Sequence, residues 1–142
     1  MSGKTTKERV LAVLEEDAQA SYGEIAERAG VSKPTVRKYI DELEADGVIV
    51  GYSADVDPKK LASTSIALVG IEAESERFVE VTDGLCQLDS VESLYSSSGD
   101  HMLMAEVRAP DGGAVGEIIR QDILTIEGVT AAHPCFLQER LK

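Results

Sequence analysis

Apolar positions along this chain keep a helical spacing up to about residue 45 and then change rhythm. "TTKERVLAVLEED" opens with Thr5 and Glu8 at capping-box spacing and sets Val10, Leu11 and Leu14 on one face, which predicts a first helix. "SYGEIAERAGVS" repeats the device with Ser21 and Glu24, turns Ile25 and Ala29 inward, and stops at Gly30, a residue suited to the left-handed turn. After a tight turn, "SKPTVRKYIDELEADGVI" begins with Ser32 as N-cap and Pro34 in the first turn, where a missing N–H costs nothing. Its Val36, Ile40 and Leu43 recur at four and three residues, so this third helix packs on the first two.

Gly47 ends that helix, and "VIVGYSADVD" reads as a β segment with Gly51 as a turn or wing position. Three helices, a tight turn between the second and third, then a strand, predict a winged helix-turn-helix over residues 1–52. "DPKKLAS", with its proline and paired lysines, lies in a hinge assigned to residues 53–62.

From residue 63 to 142 the order changes to strand "STSIALVGIEA", helix "SERFVEVTDGLCQLDS", strands "VESLYSSS" and "HMLMAEVRA", helix "GGAVGEIIRQDILTI" and strand "VTAAHPCFLQERL". The helices direct Phe78, Val81 or Thr82, Leu85 and Leu88, and then Val115, Ile118, Ile119 and Ile123, inward. This βαββαβ order predicts a ferredoxin-like sandwich, so the whole chain is an α+β protein. Two helices cover one face of such a sheet. Ile66 and Leu68 oppose Ala67, Val69 and Ile71, and Met102 and Met104 oppose Leu103, Ala105 and Val107, so the other face is apolar as well. A second copy of the sheet is the simplest cover and predicts a two-fold homodimer.

Composition narrows the class. The chain has 142 residues, 43% of them apolar, enough for a real core, and a net charge of −12. Nine Lys and Arg against twelve Asp and Glu give residues 1–60 a net −3, whereas five against fourteen give residues 61–142 a net −9. Such acidity argues against indiscriminate nucleic-acid binding and points to a salt-adapted protein of halophilic origin. The first residues lack a signal-peptide run, and "IALVGI" is too short to span a bilayer, so a soluble, cytoplasmic protein without a membrane role is expected. Cys86 and Cys135 are too few for a disulfide framework and are expected as free thiols, Cys86 in the core. No nucleophile elbow or phosphate-binding glycine loop is present, and neither an enzyme nor a resident cofactor is expected.

"LEADGVIVGYSADVDPKKL", then "VESLYSSSGDHMLM" at the central hairpin and "IEGVTAAHP" before the last strand, follow the helix-turn-helix in an order that resembles the Lrp/AsnC, or feast/famine, regulators of bacteria and archaea. The resemblance covers nearly the whole chain. It implies a cytoplasmic regulator of transcription that binds double-stranded DNA, dimerises through its C-terminal domain and often assembles into tetramers or octamers. It also implies a small effector, usually an amino acid, near the central hairpin. Two departures stand out. His101 and Met102 replace a common aromatic residue and a second aspartate, and "AAHP" replaces a Thr-rich stretch.

Ser32, Lys33, Pro34, Thr35, Arg37 and Lys38 lie at the N-terminal end of the third helix or away from its apolar face, and are the expected DNA contacts. Taken alone, a "KxxxRK" helix face is more often just solvated; the helix-turn-helix setting reverses that preference. Asp41, Glu42 and Glu44 further along would repel phosphate and are expected to point away from the duplex.

Ser98, Gly99, Asp100, His101 and Met102 are the expected effector-binding residues, with Gln121 and Asp122 as weaker candidates. Gly99 would let a ligand approach the backbone, turn N–H groups would hold a carboxylate, and Asp100 would accept from an ammonium. A plain hairpin turn explains the same residues. A metal-responsive alternative rests on His133 and Cys135, two apart on one strand, with His101 or Cys86 completing the set. An effector-independent architectural DNA binder is the other alternative.

Overall fold

A computed structural model describes residues 3–142. The chain divides into one unit up to Asp55 and a second from Val56 to Lys142. In the first, α1 (Thr6–Glu16), α2 (Tyr22–Ala29) and α3 (Lys33–Ala45) bury Val10, Val13, Leu14, Ile25, Ala26, Ala29, Val36 and Ile40 in one core. Both expected capping boxes form: Thr5 with Glu8, and Ser21 with Glu24. Caps of this kind stabilise a helix by about 1 kcal/mol each, which matters for α2 with only eight residues. On α1 the inward set is Val10, Val13 and Leu14, while Leu11 is only half-buried. Gly30 closes α2 at φ 72°, the left-handed conformation that turns the chain into α3.

The strand expected over "VIVGYSADVD" is not formed. Residues 50–57 carry no regular structure, and Val48, Val50 and Tyr52 are exposed. A strand needs a neighbour for its backbone N–H and C=O groups, and no described residue of this chain pairs with it.

The second unit has the expected βαββαβ order: β1 (Ser65–Ala73), α4 (Phe78–Cys86), β2 (Val91–Ser96), β3 (Leu103–Ala109), α5 (Gly112–Ile118) and β4 (Val129–Leu137). The strands stand in the order β2-β3-β1-β4, all antiparallel. α5 continues as a single wider turn, Ile119–Ile123, in which the Leu124 N–H reaches back five residues to the Ile119 carbonyl. Ala67, Val69 and Ile71 of β1 and Leu103, Ala105 and Val107 of β3 meet Val81 and Leu85 of α4 and Val115, Ile119 and Ile123 of the α5 segment. All of these except Ile119 are within 1% of complete burial. This is the inner face of the sheet.

Phe78 and Leu88 pack at the margin of this core, and the Thr82 hydroxyl turns back to the Phe78 and Val79 carbonyls, so Val81 is the residue that points inward. Cys86 does not join the core. It is exposed, because Val81 and Leu85 already face the sheet and the next position is rotated out. The outer face carries Leu68, Gly70 and Glu72 of β1, Met104, Glu106 and Arg108 of β3, and His133 and Cys135 of β4, as the registers require.

Candidate DNA-reading helix and hairpin site

The start of α3 is built by its cap. Ser32 is extended at φ −78°, ψ 157°, and its Oγ accepts from the Thr35 N–H at 3.4 Å while lying 2.9 Å from the Thr35 hydroxyl. Ser32, Lys33, Pro34, Arg37 and Lys38 are exposed, and Thr35 is half-buried. The Lys33 side chain runs across α2, where a Cβ added to Gly23 would come 3.2 Å from Lys33 Cε. Lys33, Arg37 and Lys38 are thus exposed cations on the leading half of the helix.

The acidic half is handled by neighbours. Glu42 Oε2 pairs with Lys7 Nζ of α1 at 2.5 Å, and Lys7 also lies 5.6 Å from the centre of the Tyr39 ring. The hydrogen bond from Lys7 holds the Glu42 carboxyl below the usual carboxylate range, and the same bond raises the Lys7 ammonium. Glu44 accepts from the Tyr52 hydroxyl at 2.8 Å, and burial, reinforced by that bond, pushes the Tyr52 phenol up to about 12. Asp41 stays exposed.

In the second unit, β2 and β3 are joined by residues 97–102. The Ser97 N–H donates to the Met102 carbonyl at 2.9 Å, and the Ser97 hydroxyl donates to the His101 carbonyl at 2.7 Å. Gly99 takes φ 119°, a conformation that side chains resist. Ser98, Gly99 and Asp100 are exposed, whereas His101 and Met102 are half-buried.

His101 folds back over the outer face. Its ring Nδ1 donates to Glu72 Oε1 at 2.6 Å, and the ring lies against Gly70 so closely that a Cβ there would be 2.3 to 2.6 Å from three of its atoms. His133, the cross-strand partner of Gly70, completes the group with its ring centre 5.4 Å from that of His101. Gly70 and Glu72 are absent from the sequence-based set. The available signal was a glycine inside the apolar strand "SIALVGIEA", which marks close approach of another group to the backbone.

Gln121 and Asp122 are not brought to the hairpin. They sit on the wide turn after α5, in the helical layer, on the opposite side of the sheet from His101, and Gln121 is bonded to Glu117 at 2.6 Å. Nor does the proposed metal set assemble. Among the described residues no three His, Cys, Asp or Glu side chains are placed to hold an ion, and Cys86 on α4 lies on the other side of the sheet from His133 and Cys135. No described helix is long and apolar enough to cross a membrane.

Residues 4–50 match the family model for winged helix-turn-helix DNA-binding domains, and residues 66–142 match that of the Lrp/AsnC ligand-binding domain. The chain belongs to the Lrp/AsnC family. It is 72% identical over 142 residues to the HTH-type transcriptional regulator LrpA1 of Halobacterium salinarum, with both chains covered completely. The HTH-type transcriptional regulator LrpA of Pyrococcus horikoshii is 39% identical, over 94% of each chain. A transcriptional regulator from Neisseria meningitidis, solved as a complex with L-Met, shares the fold at TM-score 0.74 and 19% identity, covering 99% of this chain and 93% of that one. With a DNA-binding and a ligand-binding domain in one chain, this Lrp/AsnC protein is a helix-turn-helix transcriptional regulator. The Halobacterium relative agrees with its salt-adapted composition.

Proposed function

We propose that the protein reads duplex DNA with the leading half of α3, pairs with a second copy through the outer face of its sheet, and responds to an amino acid bound at the hairpin Ser98 to Met102. The observation that carries the DNA reading is the division of charge along α3. Lys33, Arg37 and Lys38 are exposed on its first half, while Glu42 and Glu44 on the second half are engaged by Lys7 and Tyr52. Arg37 and Lys38 reach phosphates and base edges, Lys33 supports them from the first turn, and the capping hydroxyl of Ser32 fixes where that turn begins.

A carboxylate and an ammonium are the ligand groups that suit the hairpin. Exposed backbone around Gly99 offers N–H donors, and Asp100 offers an acceptor. The structural relative bound to L-Met supports this ligand class. Selection of bound sequences from a random duplex library, in high salt, tests the function. Enrichment of a two-fold symmetric motif is expected, and recovery of unselected sequence would reduce the protein to a non-specific binder.

A further inference from the structure

The second unit begins at Val56, and its first residues meet its last. The register that sets Ile66 of β1 opposite Leu137 of β4 brings the chain just before β1 and the chain just after β4 to the same end of the strand pair. A turn at Ala62 and Ser63 leads into β1, with Ser63 at φ 52° in the left-handed region that side-chain-bearing residues seldom enter.

Asp57 joins the two stretches. Its Oδ1 accepts from the Lys59 N–H at 3.1 Å, which caps the short helix Pro58–Lys60, and from the Arg140 N–H at 3.0 Å, 83 residues further along the chain. Lys59 Nζ adds an ion pair to Glu139 at 3.1 Å. That pair is exposed and weakens as salt screens it, whereas N–H groups donating to a carboxylate make short-range, charge-assisted bonds that salt affects less. Residues 50–55 are exposed and carry no regular structure, while Asp57 is half-buried. Asp57 is thus where the segment coming from α3 becomes tied to the far end of the chain.

We propose that Asp57 is a positioning residue for DNA reading: by holding the Lys59 and Arg140 N–H groups on one oxygen, it fixes the point at which the linker leaves the ligand-binding unit, and with it the half-site spacing that two paired recognition helices can span. This rests on the reading of α3 as the DNA-reading helix of a chain that works in pairs. Without the clamp the irregular stretch runs from residue 50 to residue 64 instead of ending at 56, roughly a doubling, and the effective concentration of one recognition helix at the second half-site falls about threefold. A longer tether also accepts spacings that a short one refuses.

The test measures, in high salt, the affinity of natural protein, Asp57→Ala and Asp57→Asn for duplexes built from the half-site that selection yields. These carry one copy, two copies at the selected spacing, or two copies with about 5 base pairs, half a helical turn, inserted between them. The natural chain should lose about tenfold or more on insertion. Asp57→Ala should bind the single copy as the natural chain does, bind the paired copies about threefold more weakly, and lose less than about threefold on insertion. Asp57→Asn, which removes the same charge but keeps the acceptor oxygen, should restore the natural pattern. A natural spacing pattern in folded Asp57→Ala, or an equal loss on single and paired copies, overturns the proposal and leaves α3 as the DNA-reading helix. So does a natural chain indifferent to the insertion. Natural protein that binds no duplex overturns the reading of α3 as well. Should Asp57→Ala fail to fold by circular dichroism, a chain ending at Gln138 removes Glu139 and Arg140 with Asp57 in place and takes the same test.

Discussion

Lys7 of α1 holds Glu42 of α3, Nζ to Oε2 at 2.5 Å, and so offsets one carboxylate on the acidic half of that helix. The pair also ties the first helix to the third across the small N-terminal core.

Acid stability follows from three carboxyls. Glu8, bonded by the Thr5 backbone and hydroxyl, Glu42, bonded by Lys7, and Asp57, bonded by the Arg140 and Lys59 backbone N–H groups, all titrate below their ordinary values. A lowered folded-state pKa means stabilisation that is present above the ordinary carboxyl value of about 4.5 and is lost as pH falls through the lowered one. Melting temperatures should therefore fall as the pH drops below 4.5 at constant salt. Glu42→Gln should flatten part of that drop; an unchanged acid limb contradicts the assignment.

The alkaline side depends on Tyr52. Its folded-state value of about 12 lies above the ordinary 10.0, so the neutral phenol contributes stability that is intact below pH 10 and disappears between 10 and 12. Tyr52→Phe should remove this loss and cost under about 1 kcal/mol at neutral pH, since the ring is half exposed and one hydrogen bond is at stake. Denaturant unfolding at pH 8 and pH 11 measures both effects.

Gly70→Ala forces the His101 ring off β1 and breaks its bond to Glu72, because the new methyl would lie 2.3 Å from a ring atom. Overpacking of this kind costs about 1–3 kcal/mol. His101→Ala should relieve most of the penalty in the double variant, so the two changes are strongly non-additive. Additive losses would mean that the ring does not sit where Gly70 leaves room for it.

Gly99, at φ 119°, tolerates a side chain poorly, and Gly99→Val should cost about 1–3 kcal/mol through backbone strain confined to the hairpin. Dimers should persist. Melting shifts against the twenty amino acids should lose whichever response the natural protein gives; a response kept in full removes the hairpin from the ligand site.

Local signals make most of the fold legible in the sequence. Thr5 with Glu8, Ser21 with Glu24, and Ser32 with Pro34 act within one turn, so their helices begin where the residues indicate. The strand over Val48 to Asp57 fails for the opposite reason: alternation describes a segment willing to pair, and pairing needs a second strand. The hairpin turn is visible as Gly99-Asp100, yet the Glu72–His101 bond joins residues 29 apart and becomes visible only with the register of β1 against β3 and β4. Gln121 and Asp122 are polar at helical positions, a pattern that solvation produces as readily as a binding site.

The central claim concerns Arg37 and Lys38. Affinity of the Arg37→Ala, Lys38→Ala double variant for the selected duplex, measured at two salt concentrations with the fold checked by circular dichroism, tests it most directly. Loss of two contacts worth about 1–3 kcal/mol each predicts at least a thirtyfold drop and, for any contact made to phosphate, a shallower salt dependence. Unchanged affinity in a folded variant would place the DNA on another face of the protein.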